Sequence, residues 1–347
     1  MNHKIYKNKG LTGLNNLGNT CFINSAMQVL SHTYELNNLL NKLRPKIKNN
    51  LESTLLKEWI ELKDVMWVEN CTVSPIKFLK SIQYVAKQKG SNNFIGYQQN
   101  DLPEFLFFII DCFHASLSRE VNMHISGKVI NKKDKLAVEC FSMIKKIYST
   151  EYSEIWDLFY GIHISQIISL EDNTVLSNSP EPYFIIDLPI PPNVKSPTLM
   201  DCFELYHEGE ILEGDNAWYN EKTKQKQSVK KQISYWSFPK ILVIDIKRFN
   251  SSNRKNQILL EFPLTNLDLN EYMIGYNSEK CMYDLYGICN HSGSVLGGHY
   301  TSFVKNANGK WYHFNDTIVT EVTNLENLIT TKAYCFFYRK NKNIKSN

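Results

Sequence analysis

No stretch of this chain is apolar over the ~20 residues a membrane helix needs. The most apolar run, Phe105–Ile110, is far too short, so a membrane-spanning role has no segment to carry it. The first ten residues, MNHKIYKNKG, lack the apolar core of a secretory leader. Charge of neither sign dominates: 39 Lys+Arg face 35 Asp+Glu, a formal net charge of +4. No dense basic run is interleaved with aromatics, so nucleic acid is not an expected partner. The lysines at Lys222, Lys224, Lys226, Lys230 and Lys231 alternate with polar residues and read as a solvated ribbon. Paired cysteines are missing as well. The eight cysteines (Cys21, Cys71, Cys112, Cys140, Cys202, Cys281, Cys289 and Cys335) are scattered, with no CxxC. In a leaderless chain that points to reduced thiols, hence to the cytoplasm or nucleus rather than a disulfide scaffold. It also leaves any one cysteine free to act as a nucleophile.

What is present is ordinary globular material. The chain has 347 residues, 43% apolar and 21% charged, which excludes disordered, collagen-like and rod-like classes. A chain of this length buries enough surface to need no disulfide staples. The first third has helical periodicity. Phe22, Ala26 and Val29 form a stripe in Cys21–Leu30, and Leu55, Leu56, Trp59, Ile60 and Leu62 recur within Leu51–Val68. Ser74-Pro75 reads as an N-cap and first-turn proline. Pro103–Leu117 is apolar almost all round and predicts a buried helix. Later segments read as strands: Tyr183–Leu188, Ile241–Phe249, Tyr283–Cys289, Tyr300–Lys305, Lys310–Phe314 and Ala333–Tyr338. Helices first and strands later predict an α+β fold. The turn-rich stretch from 151 to 239 reads as an inserted arm.

Two segments carry candidate chemistry. In GLNNLGNTCFINS, Gly13 and Gly18 permit tight backbone, and Cys21 opens a helix, where free N–H groups and the macrodipole favour a thiolate nucleophile. The alternative is a small buried residue at a helix start. In YDLYGICNHSGSVLGGHYTSFV, a glycine-rich loop at Gly297-Gly298 leads into His299 at the mouth of a strand. Downstream, KWYHFND ends in Asn315 and Asp316, either of which suits an imidazole partner. A structural histidine and a simple Asn-Asp turn are the competing readings.

Together these give Cys, His and Asn/Asp in the chain order of papain-like thiol proteases. Both segments closely resemble the signature boxes of the ubiquitin-specific proteases. GYQQNDLPEFL from Gly96, YFIIDLPI from Tyr183 and PKILVIDIKRF from Pro239 agree in order, so the resemblance spans Leu11 to Lys340. It implies a papain-like core: a helical thumb over about 11–150, β-fingers inserted over 151–240 and a β-rich palm over 241–340, with tails at 1–10 and 341–347. It further implies Cys21 as nucleophile, His299 as general base, Asn315 or Asp316 as its orienting partner, and Asn16 as an oxyanion donor. Asp101, Glu104 and Gln99 would meet the basic tail of ubiquitin, although Asp101 as N-cap and Glu104 as first-turn acid explain the same residues. Gly297, Gly298 and Tyr300 would line a slot for a diglycine end. His291 and Tyr283 also match, with packing as the simpler explanation.

The resemblance implies ubiquitin and ubiquitinated proteins as partners, and a monomer. Departures from the family pattern are local. Where many members carry two zinc-binding CxxC pairs, this chain has Asn220 and Thr223 in one place, and Ser169 and Asp172 near the other. These side chains do not make a structural zinc site, so no metal or other cofactor is expected. Asn100 and Pro103 replace residues usual at those positions. A silent ubiquitin-binding relative, or a protease for a ubiquitin-like modifier, is the alternative.

Overall fold

The computed structural model describes residues 3–276, 280–294 and 297–341. Its first part is a helical lobe built from α1 (Cys21–Ser31), α2 (Tyr34–Leu43), α3 (Leu51–Val68), α4 (Ile76–Gln88) and α5 (Leu102–Leu117). Strand β1 (Gly13–Leu14) pairs in parallel with β2 (Thr72–Val73), tying the approach to α1 onto the α3–α4 junction. Pro75, not Ser74, holds the N-cap of α4. The Ser74 hydroxyl is taken by the Asn15 amide at 2.6 Å instead. The segment before Gly10, expected as a tail, is anchored by Tyr6 on this lobe and by Asn8 on Asn306, whose Oδ1 accepts from the Asn8 N–H at 3.1 Å. Tyr6 is buried, stacks on Tyr34 at 4.4 Å and donates to Asn38 Oδ1 at 2.8 Å.

The chain then runs through α6 (Lys132–Tyr148), α7 (Glu154–Phe159), β3 (Gly161–Ser169), β4 (Val175–Tyr183), β5 (Ile185–Pro189) and α8 (Leu199–Glu208). Short strands β6 (Glu210–Leu212), β7 (Trp218–Asn220) and β8 (Gln225–Gln227) lead to β9 (Val229–Ser237). The arm is the sheet β4-β3-β9-β6 with the β7–β8 hairpin beside it. The 151–240 stretch is not one insertion. Strand β5 leaves the arm and pairs in parallel with β10 (Ile241–Lys247) in the main sheet, and α7 packs back on α5. Helix α6, by contrast, belongs with the arm: Ala137 and Cys140 join Ile162, Ile164 and Trp236 in a small apolar cluster.

The main sheet is completed by β11 (Leu267–Asp268), β12 (Met282–Ser294), β13 (Gly297–Lys305), β14 (Trp311–Asn315), β15 (Ile318–Val322) and β16 (Ala333–Lys340). Its order is β15-β14-β13-β12-β16-β10-β5, with β11 on β12. Strand alternation divides the core. Ile241, Val243 and Phe337 face Phe105, Ile109 and Trp59 of the helical lobe. Leu242, Ile244, Ile246 and Phe336 face Leu199 and Phe203 of α8 on the other side. Helix α1 lies directly on β13, and Ser25 Oγ donates to Thr301 O at 2.9 Å.

Candidate active site

The Cys21 segment reaches its place through a run of unusual backbone. Gly18 at φ 102° and Asn19 at φ 54° turn the chain into α1. Asn16 Oδ1 accepts from the N–H groups of Gly18 and Thr20, each at 3.1 Å. The first intrahelical bond of α1 is Asn24 N–H to Thr20 O at 2.9 Å. The N–H of Cys21 therefore precedes the helix ladder and points to the helix mouth.

The second segment docks against the first. Leu14 N–H donates to Asp316 O at 2.8 Å. Gly13 sits so close to the β14–β15 turn that an added Cβ would lie 2.3 Å from Thr317 O, so only glycine fits. Asp316 takes φ 49°, a left-handed turn position that Asp tolerates better than most residues.

These contacts sort the imidazole's neighbours. His299 Nε2 donates to Asn315 Oδ1 at 2.7 Å. This leaves the lone pair on Nδ1, where a base facing a thiol needs it. Asp316 does something different. Its Oδ2 accepts from Asn16 Nδ2 at 3.1 Å, and its Oδ1 from Asn24 Nδ2 at 2.8 Å. The Asn16 amide has two N–H donors, so one stays available after Asp316 is served. At this turn Asn315 bonds the histidine, and Asp316 bonds the side-chain amides of Asn16 and Asn24.

Cys21 is 3% exposed. Burial pushes its thiol up, against the Tyr300 N–H, which pulls it down. The Asp316 carboxylate adds to the rise, and the N–H groups of Phe22 and Cys21 oppose it. Burial is the largest of these influences and works against the thiolate that the helix N–H groups favour.

The acidic side of the site lies at the start of α5. Asp101 is the N-cap, its Oδ1 accepting from Glu104 N–H at 3.2 Å, and its Oδ2 accepts from Tyr334 OH at 2.8 Å. Burial raises its carboxyl, while the Tyr334 and Glu104 bonds lower it. Glu104 is exposed and accepts from Asn93 Nδ2 at 2.6 Å. Gln99 reaches across to β13, where it bonds to Gly298.

Gly298 packs over His291: a Cβ there would fall 2.3 Å from His291 Nε2. At Gly297 a Cβ would meet only Gln99 Oε1, at an ordinary 3.7 Å. Val295 and Leu296, within the second segment, lie outside the described residues. His291 is buried among Tyr300, Tyr334 and Phe249, with ring centroids 4.6, 5.8 and 5.8 Å away. Lys255 Nζ lies 3.1 Å from its Nδ1, and burial with that cation lowers His291 to about 4. Tyr283 is fully buried and donates to Pro239 O at 2.6 Å, a packing role.

Sequence reading missed several neighbours. Asn24, one turn after Cys21, clamps Asp316; its signal was a carboxamide on an apolar helix stripe. Asp245 was the lone acid in the strand ILVIDIK. It is 8% exposed, and among the described residues its Oδ1 has no hydrogen-bond partner. Burial, then Asp101 and Asp187, push its carboxyl well above the ordinary value. Tyr334 gave no signal beyond strand propensity.

Comparisons with known proteins show what the chain is similar to. Residues 12–338 match the model of a family described as ubiquitin carboxyl-terminal hydrolase. Human ubiquitin carboxyl-terminal hydrolase 2 is 35% identical over 346 residues, covering 95% of this chain and 55% of that one. The chicken protein of the same name is 34% identical over 347 residues, covering 95% of this chain and 93% of its own. This chain thus spans about half of the human relative and nearly all of the chicken one. A solved SAGA Ubp8/Sgf11/Sus1/Sgf73 DUB module bound to ubiquitin aldehyde superposes with a TM-score of 0.74 at 25% identity, covering 99% of this chain and 72% of that one. With its two chemical segments joined at one site and nearly its whole length matched, the chain belongs to the ubiquitin carboxyl-terminal hydrolase family.

Proposed function

We propose that this chain is a deubiquitinating cysteine isopeptidase that cleaves after the C-terminal glycine of ubiquitin. The observation that carries the reading is the His299–Asn315 bond beside the Cys21 helix mouth, with Asn16 held by Asp316. The relative bound to ubiquitin aldehyde supports the choice of substrate.

In this reading His299 Nδ1 takes the Cys21 proton as sulfur attacks the glycine carbonyl carbon. The oxyanion receives an N–H from Asn16 Nδ2 and the backbone N–H of Cys21, a pair of donors fixed before the reaction. Collapse breaks the isopeptide C–N bond, and His299 returns the proton to the leaving amine. Water then hydrolyses the thioester, with His299 as base again. Asn315 keeps the imidazole in the required tautomer throughout. Asp101 and Glu104 meet the basic tail, and Gly298 and Tyr300 flank the glycines.

Burial holds the Cys21 thiol above its ordinary value, which fits an enzyme that activates Cys21 once substrate is seated. The partners are ubiquitin and its conjugates, and the chain acts as a monomer in the cytoplasm or nucleus. The arm holds without metal. At the hairpin where the family pattern places thiolates, Asn220 bonds Gln227 Oε1 at 2.9 Å and accepts from Lys222 N–H at 2.9 Å. Among the described residues, no helix is long and apolar enough to cross a membrane.

The test is reaction with ubiquitin bearing a C-terminal thiol-reactive warhead. The wild type forms a covalent adduct and Cys21→Ala does not. A folded wild type that stays unlabelled sinks the reading. Labelling by a ubiquitin-like modifier instead would move the substrate and keep the chemistry.

A further inference from the structure

Gln99 makes two hydrogen bonds to a single residue across the mouth of the site. Its Oε1 accepts from Gly298 N–H at 2.5 Å, and its Nε2 donates to Gly298 O at 2.8 Å. A primary carboxamide carries the donor and acceptor of a peptide unit. Two such bonds to one residue are what an antiparallel neighbour exchanges with its hydrogen-bonded partner.

Gly298 stands where such a neighbour is missing. Strand β12 covers one edge of β13 as far as Ser294↔Gly297. On the other edge the register with β14 runs only from Lys305 to Ser302. Beyond Ser302, among the described residues, that edge has no strand partner, and at Gly298 it is Gln99 that fills it. A side chain on Gly298 itself would collide with His291 and Ser292 O, so the backbone there is bare by necessity.

The segment bearing Gln99 is held in position from the helical lobe. Asn19 Nδ2 donates to Tyr97 O at 2.8 Å, and Gln83 Nε2 to Gly96 O at 3.2 Å. Asn19 is two residues from Cys21, and Gly298 is next to His299. The Gln99 bridge therefore links the segment tied to Asn19, near the 3% exposed Cys21, to the segment that bears His299. In the reading proposed above, the substrate tail passes between those segments.

We propose that the Gln99 carboxamide is a built-in occupant of the subsite for a substrate peptide unit. In the free enzyme it holds Gly298 N–H and C=O. When an extended tail enters, one of its peptide units takes over both bonds and Gln99 swings outward. Exchange of two bonds for two leaves little net cost, but only for a chain that offers a donor and an acceptor in extended form. This selects an unbranched, extended tail before chemistry begins, and it rests on the substrate class proposed above.

Gln99→Met and Gln99→Ala in the full chain test it. Met keeps the length of the side chain and removes both bonds. The first readout is alkylation of Cys21 by iodoacetamide, which needs no ubiquitin. Both variants should alkylate about tenfold faster than wild type, the order expected when two neutral hydrogen bonds no longer hold the bridge. The second is steady-state cleavage of a fluorogenic ubiquitin C-terminal amide, where KM should fall several-fold and kcat should stay within about twofold. Unchanged alkylation in both variants overturns the proposal, as does a raised KM with unchanged alkylation, which would make Gln99 a substrate contact only. Faster alkylation without any cleavage of the ubiquitin amide, by wild type or variants, supports the gate and sinks the substrate instead. Melting temperatures should stay within a few degrees of wild type, about what losing two exposed hydrogen bonds costs.

Discussion

At the residue scale, two adjacent side chains at one turn do different work. Asn315 touches the imidazole and Asp316 does not. Asn315→Ala should lower kcat by about 10²–10⁴, in the range seen when an orienting partner is removed from a triad, with thermal stability nearly unchanged. Asp316→Ala should lower kcat by about 10²–10³, the usual worth of an oxyanion donor that has lost its position. It should also lower the melting temperature, since Asn24 is left buried without this partner. Equal effects on stability would contradict this division of labour.

A second residue-scale prediction concerns Asp245. Its folded carboxyl titrates well above the ordinary 3.8 because it is buried beside Asp101 and Asp187. Between the two values the folded chain binds a proton that the unfolded chain has lost. Stability therefore falls as pH rises through that window, and the penalty persists at neutral pH. Asp245→Asn should melt higher than wild type at about pH 7, and the gap should close as pH approaches about 4. A gap that does not change with pH would show that the charge is not the cause.

At the scale of elements, the site exists because short segments are pressed together where only particular residues fit. Strand β1 meets the β14–β15 turn through Gly13, whose Cβ position is filled by Thr317 O. Gly13→Ala should cost about 1–3 kcal/mol, as overpacking commonly does. It should also lower kcat by displacing Asn315 and Asp316 together. Urea denaturation and kinetics on one sample would separate these effects. Helix α5 is capped by Asp101, which the proposed function also gives a substrate contact. Asp101→Asn keeps an N-cap acceptor and should raise KM with little change in melting. Asp101→Ala should add a loss of about 1 kcal/mol, the usual value of a lost cap. If both substitutions change only stability, Asp101 has no part in holding the substrate.

At the scale of the whole molecule, a single sheet separates two cores and one lobe supplies each half of the site. The thiol rides on α1 of the helical lobe, and the imidazole on β13 of the sheet. The arm is held by strand pairing from β4 to β6 and by a small cluster on α6. Metal analysis of purified protein should find no stoichiometric zinc, and a chelator should leave the melting temperature unmoved. Bound zinc at one per chain would require ligands other than Asn220 and Thr223.

The amino-acid sequence by itself determined the class of elements and the order of the two segments that meet at the candidate site. These are local properties: periodicity marks helices and strands, and a long motif keeps its residues in order wherever the chain goes. The Asp101 cap was legible because capping is decided within four residues. The pairing of β5 with β10, the seat of α6 on the arm and the anchoring of the segment before Gly10 were not legible, since each depends on surfaces distant in sequence. The choice between Asn315 and Asp316 was equally beyond local reading, because adjacent turn residues point in directions set by the whole hairpin. Only tertiary structure decided the direction in which the Cys21 thiol is shifted. A helix start favours the thiolate, but the sheet packed over it removes water, and desolvation of a charge outweighs a few nearby N–H groups.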